Sequence, residues 1–155
     1  MVVAAVREWL LQWASTSFLV EGRSMEPAYR PGATVRVCQL PLWLLQPERF
    51  DVVVLRSPDE PIRRLELKRL IGLPGERIRW TANRFEVNQT LLDEPYARIP
   101  PTVPGDDEAR EVILKPGEFF VAGDHRLYSR DSRQYGPVPR HAILGKVHLV
   151  ARVAA

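Results

Sequence analysis

Apolar residues recur in short β-branched runs, such as "DVVVLR" at 51–56 and "GKVHLVARV" at 145–153. Pro, Gly or Asn breaks the chain about every ten residues between them. Alternation and turn chemistry predict strands over 17–23, 33–38, 50–56, 62–71, 76–80, 84–88, 111–115, 118–122 and 144–153. The turns "RPG", "SPDEP", "GLPG", "TANR" and "KPGE" each carry a residue that a tight reversal needs. Hairpins therefore dominate, and the expected fold is mainly β with antiparallel sheets. The Pro-rich acidic stretch "IPPTVPGDDEARE" at 99–111 reads as an exposed loop, and no internal repeat is visible.

A different period governs the N-terminus. Over 2–14, "VVAAVREWLLQWA", Val2, Val6, Trp9, Leu10 and Trp13 fall on one side of a helix, with Arg7, Glu8, Gln12 and Ser15 on the other. Thirteen residues rise about 20 Å, short of a hydrocarbon core of about 30 Å. Two readings stand: an interfacial anchor with tryptophans at headgroup depth, or a helix packed on its own domain. The segment lacks the basic cluster and small-residue cleavage site of a secretory signal peptide. A second apolar stretch, "LPLWLLQP" at 40–47, occupies a place where a loop is normally polar; together the two patches suggest a membrane-facing surface. The organisation expected is an amphipathic helix at 1–16 followed by one β-domain over 17–155.

At 155 residues there is room for one domain with a real core. The net charge of +3 and pI of about 9.3 permit an anionic partner but do not demand one. The single cysteine, Cys38, excludes an internal disulfide and reads as a small buried apolar residue. His125, His141 and His148 have no metal-ligand spacing, so no metal or other cofactor is expected.

Candidate chemistry begins at "GRSMEPAYRPG", 22–32, where Ser24 precedes the first Pro-Gly turn. No GxSxG elbow accompanies it, and histidine candidates are few. Lysine is the other known base, and only three of the 22 basic residues are lysines: Lys68, Lys115 and Lys146. A neutral lysine at pH 7 costs about 4.6 kcal/mol from its reference pKa, unless burial lowers that value. In "RRLELKRLIGL", Leu65, Leu67 and Leu70 suit such burial. Strand alternation, however, puts Lys68 on the same face as Glu66, so an ordinary solvated lysine also fits. A third stretch, "GDHRLYSRDSRQYGPV" at 123–138, is dense in small polar and charged residues. Tyr128, Tyr135 and a closing Gly-Pro-Val exceed what a solvated loop needs.

Taken together, "GRSMEPAYRPG", "LKRLIGLPGE", "LLDEPY" and "GDHRLYSRDSRQYGPV…ILGKV" resemble, in order and spacing, the motif set of the type I signal peptidases, over residues 18–153. The resemblance implies a fold of coiled antiparallel β-sheets and a Ser-Lys endopeptidase. Ser24 would be the nucleophile, Lys68 the neutral general base, and Ser129 a hydroxyl that orients the lysine amine. Asp124 with Arg69, and Asp131 with Arg126 or Arg133, would be ion pairs holding the loop against the catalytic strand. The substrate would lie as an extended strand between Leu19, Val20, Glu21 and Gly22 on one side and Glu66 and Leu67 on the other. Cleavage would follow an Ala-X-Ala-like sequence of a signal peptide on an exported preprotein, with the Ser24 N–H in the oxyanion site. Gly22 stands where some members carry a serine oxyanion donor.

The family usually has a full transmembrane helix, for which "REWLLQWASTSFLVEGRSM" is too short. This leaves a monotopic peptidase, a specialised maturation protease, or a chain whose span has been removed. The expected place of action is a lipid bilayer surface on the extracytoplasmic side of the plasma membrane. Two rival classes are a self-cleaving Ser-Lys repressor-type protein and a basic β-barrel that binds nucleic acid. The first lacks room for a DNA-binding head before Ser24. The second asks for arginines interleaved with aromatics, whereas here they sit in turns or beside acids, so no nucleic-acid partner is expected.

Overall fold

In a computed structural model, residues 15–39, 46–58, 64–81, 84–100 and 108–151 are described. The expected helix at 2–14 and all but the end of the 40–47 patch lie outside them. The chain runs through β1 (Ser15–Leu19), β2 (Thr34–Cys38), β3 (Val52–Arg56), β4 (Leu65–Gly72), β5 (Arg77–Thr81) and β6 (Arg84–Val87). It continues through β7 (Thr90–Leu91), β8 (Arg110–Ile113), β9 (Glu118–Ala122), β10 (Val138–Pro139) and β11 (Ile143–Ala151). One short helix, α1 (Ser132–Tyr135), and two 3-10 turns, Arg126–Tyr128 and Arg140–Ala142, lie between β9 and β11.

These strands form a seven-stranded sheet in the order β1-β2-β11-β3-β4-β9-β10 and a four-stranded sheet in the order β7-β6-β5-β8. Every pairing between named strands is antiparallel. The mainly β, antiparallel expectation is therefore borne out. Apolar runs without alternation mark strands buried on both faces, and "VVVL" is such a run. Val52 and Val54 enter one core with Val35, Val37, Met25 and Val147. Val53 and Leu55 enter another with Leu70, Phe119 and Val121. A third core lies between the sheets, where Ile71, Phe120 and Ala122 meet Ile78, Phe85 and Leu114. Cys38 is fully buried, as its composition suggested.

The differences from the sequence reading have local causes. β1 lies two residues earlier than expected and starts at Ser15, whose hydroxyl bonds His148 Nε2 at 2.6 Å, so Ser15 belongs to the sheet and not to the helix's polar arc. It ends at Leu19 because Val20 leaves the ladder and exchanges hydrogen bonds with the next turn: its N–H goes to Ala33 O and its carbonyl accepts from Gly32 N. β7 and β10 were missed because two residues carry no period. α1 was missed for the same reason, although its Asp131 capping box with Gln134 is a local signal.

Candidate active site

Among the described residues, two edges of the large sheet remain open beside each other. There β1 is an edge strand paired only with β2. β4 pairs with β3 along Leu65–Arg69, but β9 takes up its other edge only from Arg69 onward, leaving 65–68 unpaired there. The sheet curls so that these edges flank one cleft of about 340 Å³. Phe18, Leu19, Val20, Glu21 and Gly22 line one wall and Leu65, Glu66 and Leu67 the other, with Ser24 and Lys68 also lining it. Exposed backbone edges facing each other across a gap are the arrangement into which an extended peptide can add as a strand.

Ser24 sits in the turn after β1, held from both sides. Met25 is buried in the first core, and the Ser24 carbonyl accepts the His125 N–H at 2.9 Å. Lys68 projects from the middle of β4, opposite Val53, and is 4% exposed. Its Nζ stands 3.3 Å from Ser24 Oγ and 3.6 Å from Glu66 Oε2. Burial pushes the amine below the usual lysine range, against the upward pull of Glu66 and Asp131. The solvated-lysine alternative is thereby removed: Lys68 shares a face with Glu66, and that face is covered.

The 123–136 segment is a charged scaffold. Arg69 makes a bidentate pair with Asp124, at 2.8 and 2.6 Å, and donates to the Phe50 carbonyl. Of the two arginines suggested for Asp131, Arg133 contacts it, through Nε at 2.8 Å and Nη2 at 3.0 Å. Arg126 instead forms a bidentate pair with Glu94, both side chains buried. Glu94 was missed as a site residue although "LLDEPY" was recognised, because nothing local couples positions 32 apart. Tyr96 completes the link: its hydroxyl donates to Glu94 and its ring lies 4.0 Å from the Arg69 guanidinium carbon.

Asp131 is the hub. It accepts from Gly123 N–H, Ser129 Oγ and Arg133 while wholly buried. Burial alone would raise its pKa, yet these donors, led by Arg133, hold the carboxyl below the usual carboxylate range. The Ser129 hydroxyl donates at 2.7 Å to Asp131 and keeps lone pairs that can accept, while the amine's side-chain hydrogen bond and ion pair among the described residues are with Ser24 and Glu66. A desolvated, ionised carboxylate is the stronger acceptor.

Gly123 allows this crowding. A Cβ there would run into Ser129 Oγ and lie 2.5 Å from the Ser24 carbonyl oxygen. Gly123→Ala is expected to cost about 1–3 kcal/mol of stability, measurable by urea denaturation, with loss of activity from the displaced Ser24 turn. An unchanged midpoint would show that the loop can yield without cost.

Among the described residues no group of His, Cys, Asp and Glu could hold a metal, and no helix is long and apolar enough to cross a membrane. Residues 1–151 match the family model described as "Signal peptidase, peptidase S26". The chain is 36% identical over 156 residues to signal peptidase I of Bacillus caldolyticus, covering 94% of this chain and 82% of that protein. To signal peptidase I V of Bacillus subtilis (strain 168) it is 33% identical over 140 residues, covering 84% and 82%. The crystal structure of a signal peptidase I from Enterococcus faecalis V583 superposes with a TM-score of 0.55 at 27% identity, covering 66% of this chain and 97% of that one.

Proposed function

The chain belongs to the signal peptidase family, peptidase S26, and from that premise we propose that it cleaves its substrates with Ser24 as nucleophile and Lys68 as general base. The family implies a peptidase that removes signal peptides from preproteins. The observation that carries the finer reading is the 3.3 Å approach of a nearly fully buried amine to the Ser24 hydroxyl. Burial favours the neutral amine, which is the form able to take a proton.

The steps follow from that geometry. Ser24 Oγ attacks the scissile carbonyl carbon while its proton passes to Lys68 Nζ. The oxyanion is held by the Ser24 N–H, and Gly22 offers no side-chain donor. The C–N bond breaks as Lys68 returns the proton to the leaving amine. Water then attacks the acyl carbon, giving a proton to Lys68; the bond from that carbon to Ser24 Oγ breaks as Lys68 returns the proton to Oγ, which restores the serine and releases the new carboxyl end.

The substrate lies between the two open edges, its carbonyl and N–H groups completing the ladders of β1 and β4. Phe18, Val20, Val35, Val54 and Leu67 narrow the cleft with apolar side chains, which favours small residues at the first and third positions before the cut. Exposed Leu19, Leu65 and Tyr128 at the same cleft suit work at a bilayer surface, on the extracytoplasmic side.

A peptide bearing Ala-X-Ala, in detergent or lipid, is expected to be cut after the second alanine. Replacing that alanine by phenylalanine should lower kcat/KM by about 100-fold or more. Equal cleavage of both peptides would exclude the small-pocket reading.

A further inference from the structure

Lys68 has a neighbour that a simple Ser-Lys pair does not require. Glu66 lies two residues earlier on β4 and so faces the same side. Its Oε2 is 3.6 Å from Lys68 Nζ, with side-chain exposures of 16% for Glu66 and 5% for Lys68. Tyr135, at the end of α1, reaches the same oxygen with its hydroxyl at 3.4 Å. The carboxylate therefore bridges the catalytic strand and the 123–136 segment.

The other charges that act on the amine come as an opposed pair. From the 123–136 segment come Asp131 and Arg133, which pair with each other. The Ser24 turn contributes a hydroxyl, and β3 places Val53 opposite. Glu21, Arg23, Arg64 and Arg130 also line the cleft, with the Tyr128 phenol. Among the described residues Lys68 is the cation that Glu66 pairs with. Its negative charge thus acts on the amine without a competing salt bridge.

We propose that Glu66 is a positioning residue for the reaction: its carboxylate, linked to Tyr135, holds Lys68 Nζ toward Ser24 Oγ and sets the pH at which the amine can accept the proton. This rests on Lys68 being the base. The carboxylate acts in two opposed ways. In the resting enzyme it favours the ammonium form, which cannot accept a proton, and so moves the onset of activity toward higher pH. Once Ser24 gives up its proton, the same carboxylate neutralises the new ammonium and assists the step.

The test is kcat/KM against pH for an Ala-X-Ala peptide with the full chain, since the acidic limb reports the base of the free enzyme. Glu66→Gln keeps the shape and removes the charge. Its limb should move to lower pH by about 1–3 units, the range for an opposite charge within 4–6 Å, with a lower plateau rate. Glu66→Asp, which restores the charge, should bring the limb back toward the parent's. If Glu66 served only as cleft wall, Glu66→Gln would raise KM and leave the limb in place, which overturns the proposal. Lys68→Ala separates the two readings. An inactive Lys68→Ala with an unmoved Glu66→Gln limb removes the Glu66 role alone, whereas a fully active Lys68→Ala removes the base and this role together. Independently of turnover, the Lys68 amine followed by 15N NMR in Ser24→Ala should titrate at lower pH when Glu66→Gln is added. Equal midpoints in the two folded variants would likewise overturn the proposal.

Discussion

Ser24→Ala and Lys68→Ala are each expected to abolish cleavage of an Ala-X-Ala peptide, by on the order of 10⁴-fold or more in kcat, and the double variant should be no worse than either single one. Groups that act as one unit show this non-additivity, because either loss removes the whole proton-transfer route. The 3.3 Å approach of Lys68 Nζ to Ser24 Oγ is the geometry behind it. Additive losses, or a Lys68→Ala variant within tenfold of the parent, would sink the dyad. Stability supplies a second signature. Burial lowers the folded pKa of Lys68, so between that value and the unfolded pKa of about 10.4 the unfolded chain binds the extra proton. Stability therefore rises with pH across that window as the unfolded chain gives the proton up. Lys68→Met keeps the bulk, removes the buried amine, and should remove that contribution to the slope while leaving the protein at least as stable near pH 7. Urea titrations at pH 7 and pH 10 measure both effects.

The largest loss of stability is expected at Asp131. Asp131→Ala removes the acceptor of Gly123 N–H, Ser129 Oγ and the Arg133 guanidinium together, leaving a buried cation without its counter-charge. Breaking a buried pair from one side costs about 3–5 kcal/mol, a large part of the stability of a domain this size. Activity should fall with it, because the same segment carries the His125 N–H that holds the Ser24 carbonyl. The sign of the pH dependence follows from the lowered folded pKa. Asp131 stabilises fully above its unfolded pKa of about 3.9, and the contribution is lost as pH falls through the folded value. Asp131→Asn should abolish that acid-side contribution. A destabilisation under about 1 kcal/mol in Asp131→Ala would mean that Arg133 finds another partner at little cost.

The eight longer strands from β2 to β11 were legible because period-2 alternation and turn residues are local properties. Val52 to Leu55 read as a strand from their β-branched run, and the structure buries them on both faces. The pairing of Lys68 with Glu66 on one face was legible for the same reason, since two residues on one strand must share a side. Ser24 and Lys68 were recognisable as a set through flanking motifs, and Asp124 with Arg69 through the same resemblance. Folding decided the rest. Ser24 and Lys68 lie 44 positions apart and meet only because the large sheet curls until the edge of β1 faces the open half of β4. The choice of Arg133 over Arg126 for Asp131, the capture of Arg126 by Glu94, and the hydrogen bond from the Ser129 hydroxyl to Asp131 all depend on which buried charge stands nearest in space. Alternation and turn chemistry act between neighbours along the chain. A buried ion pair is chosen by distance and desolvation after the sheets have closed, and neither quantity exists before the tertiary structure does.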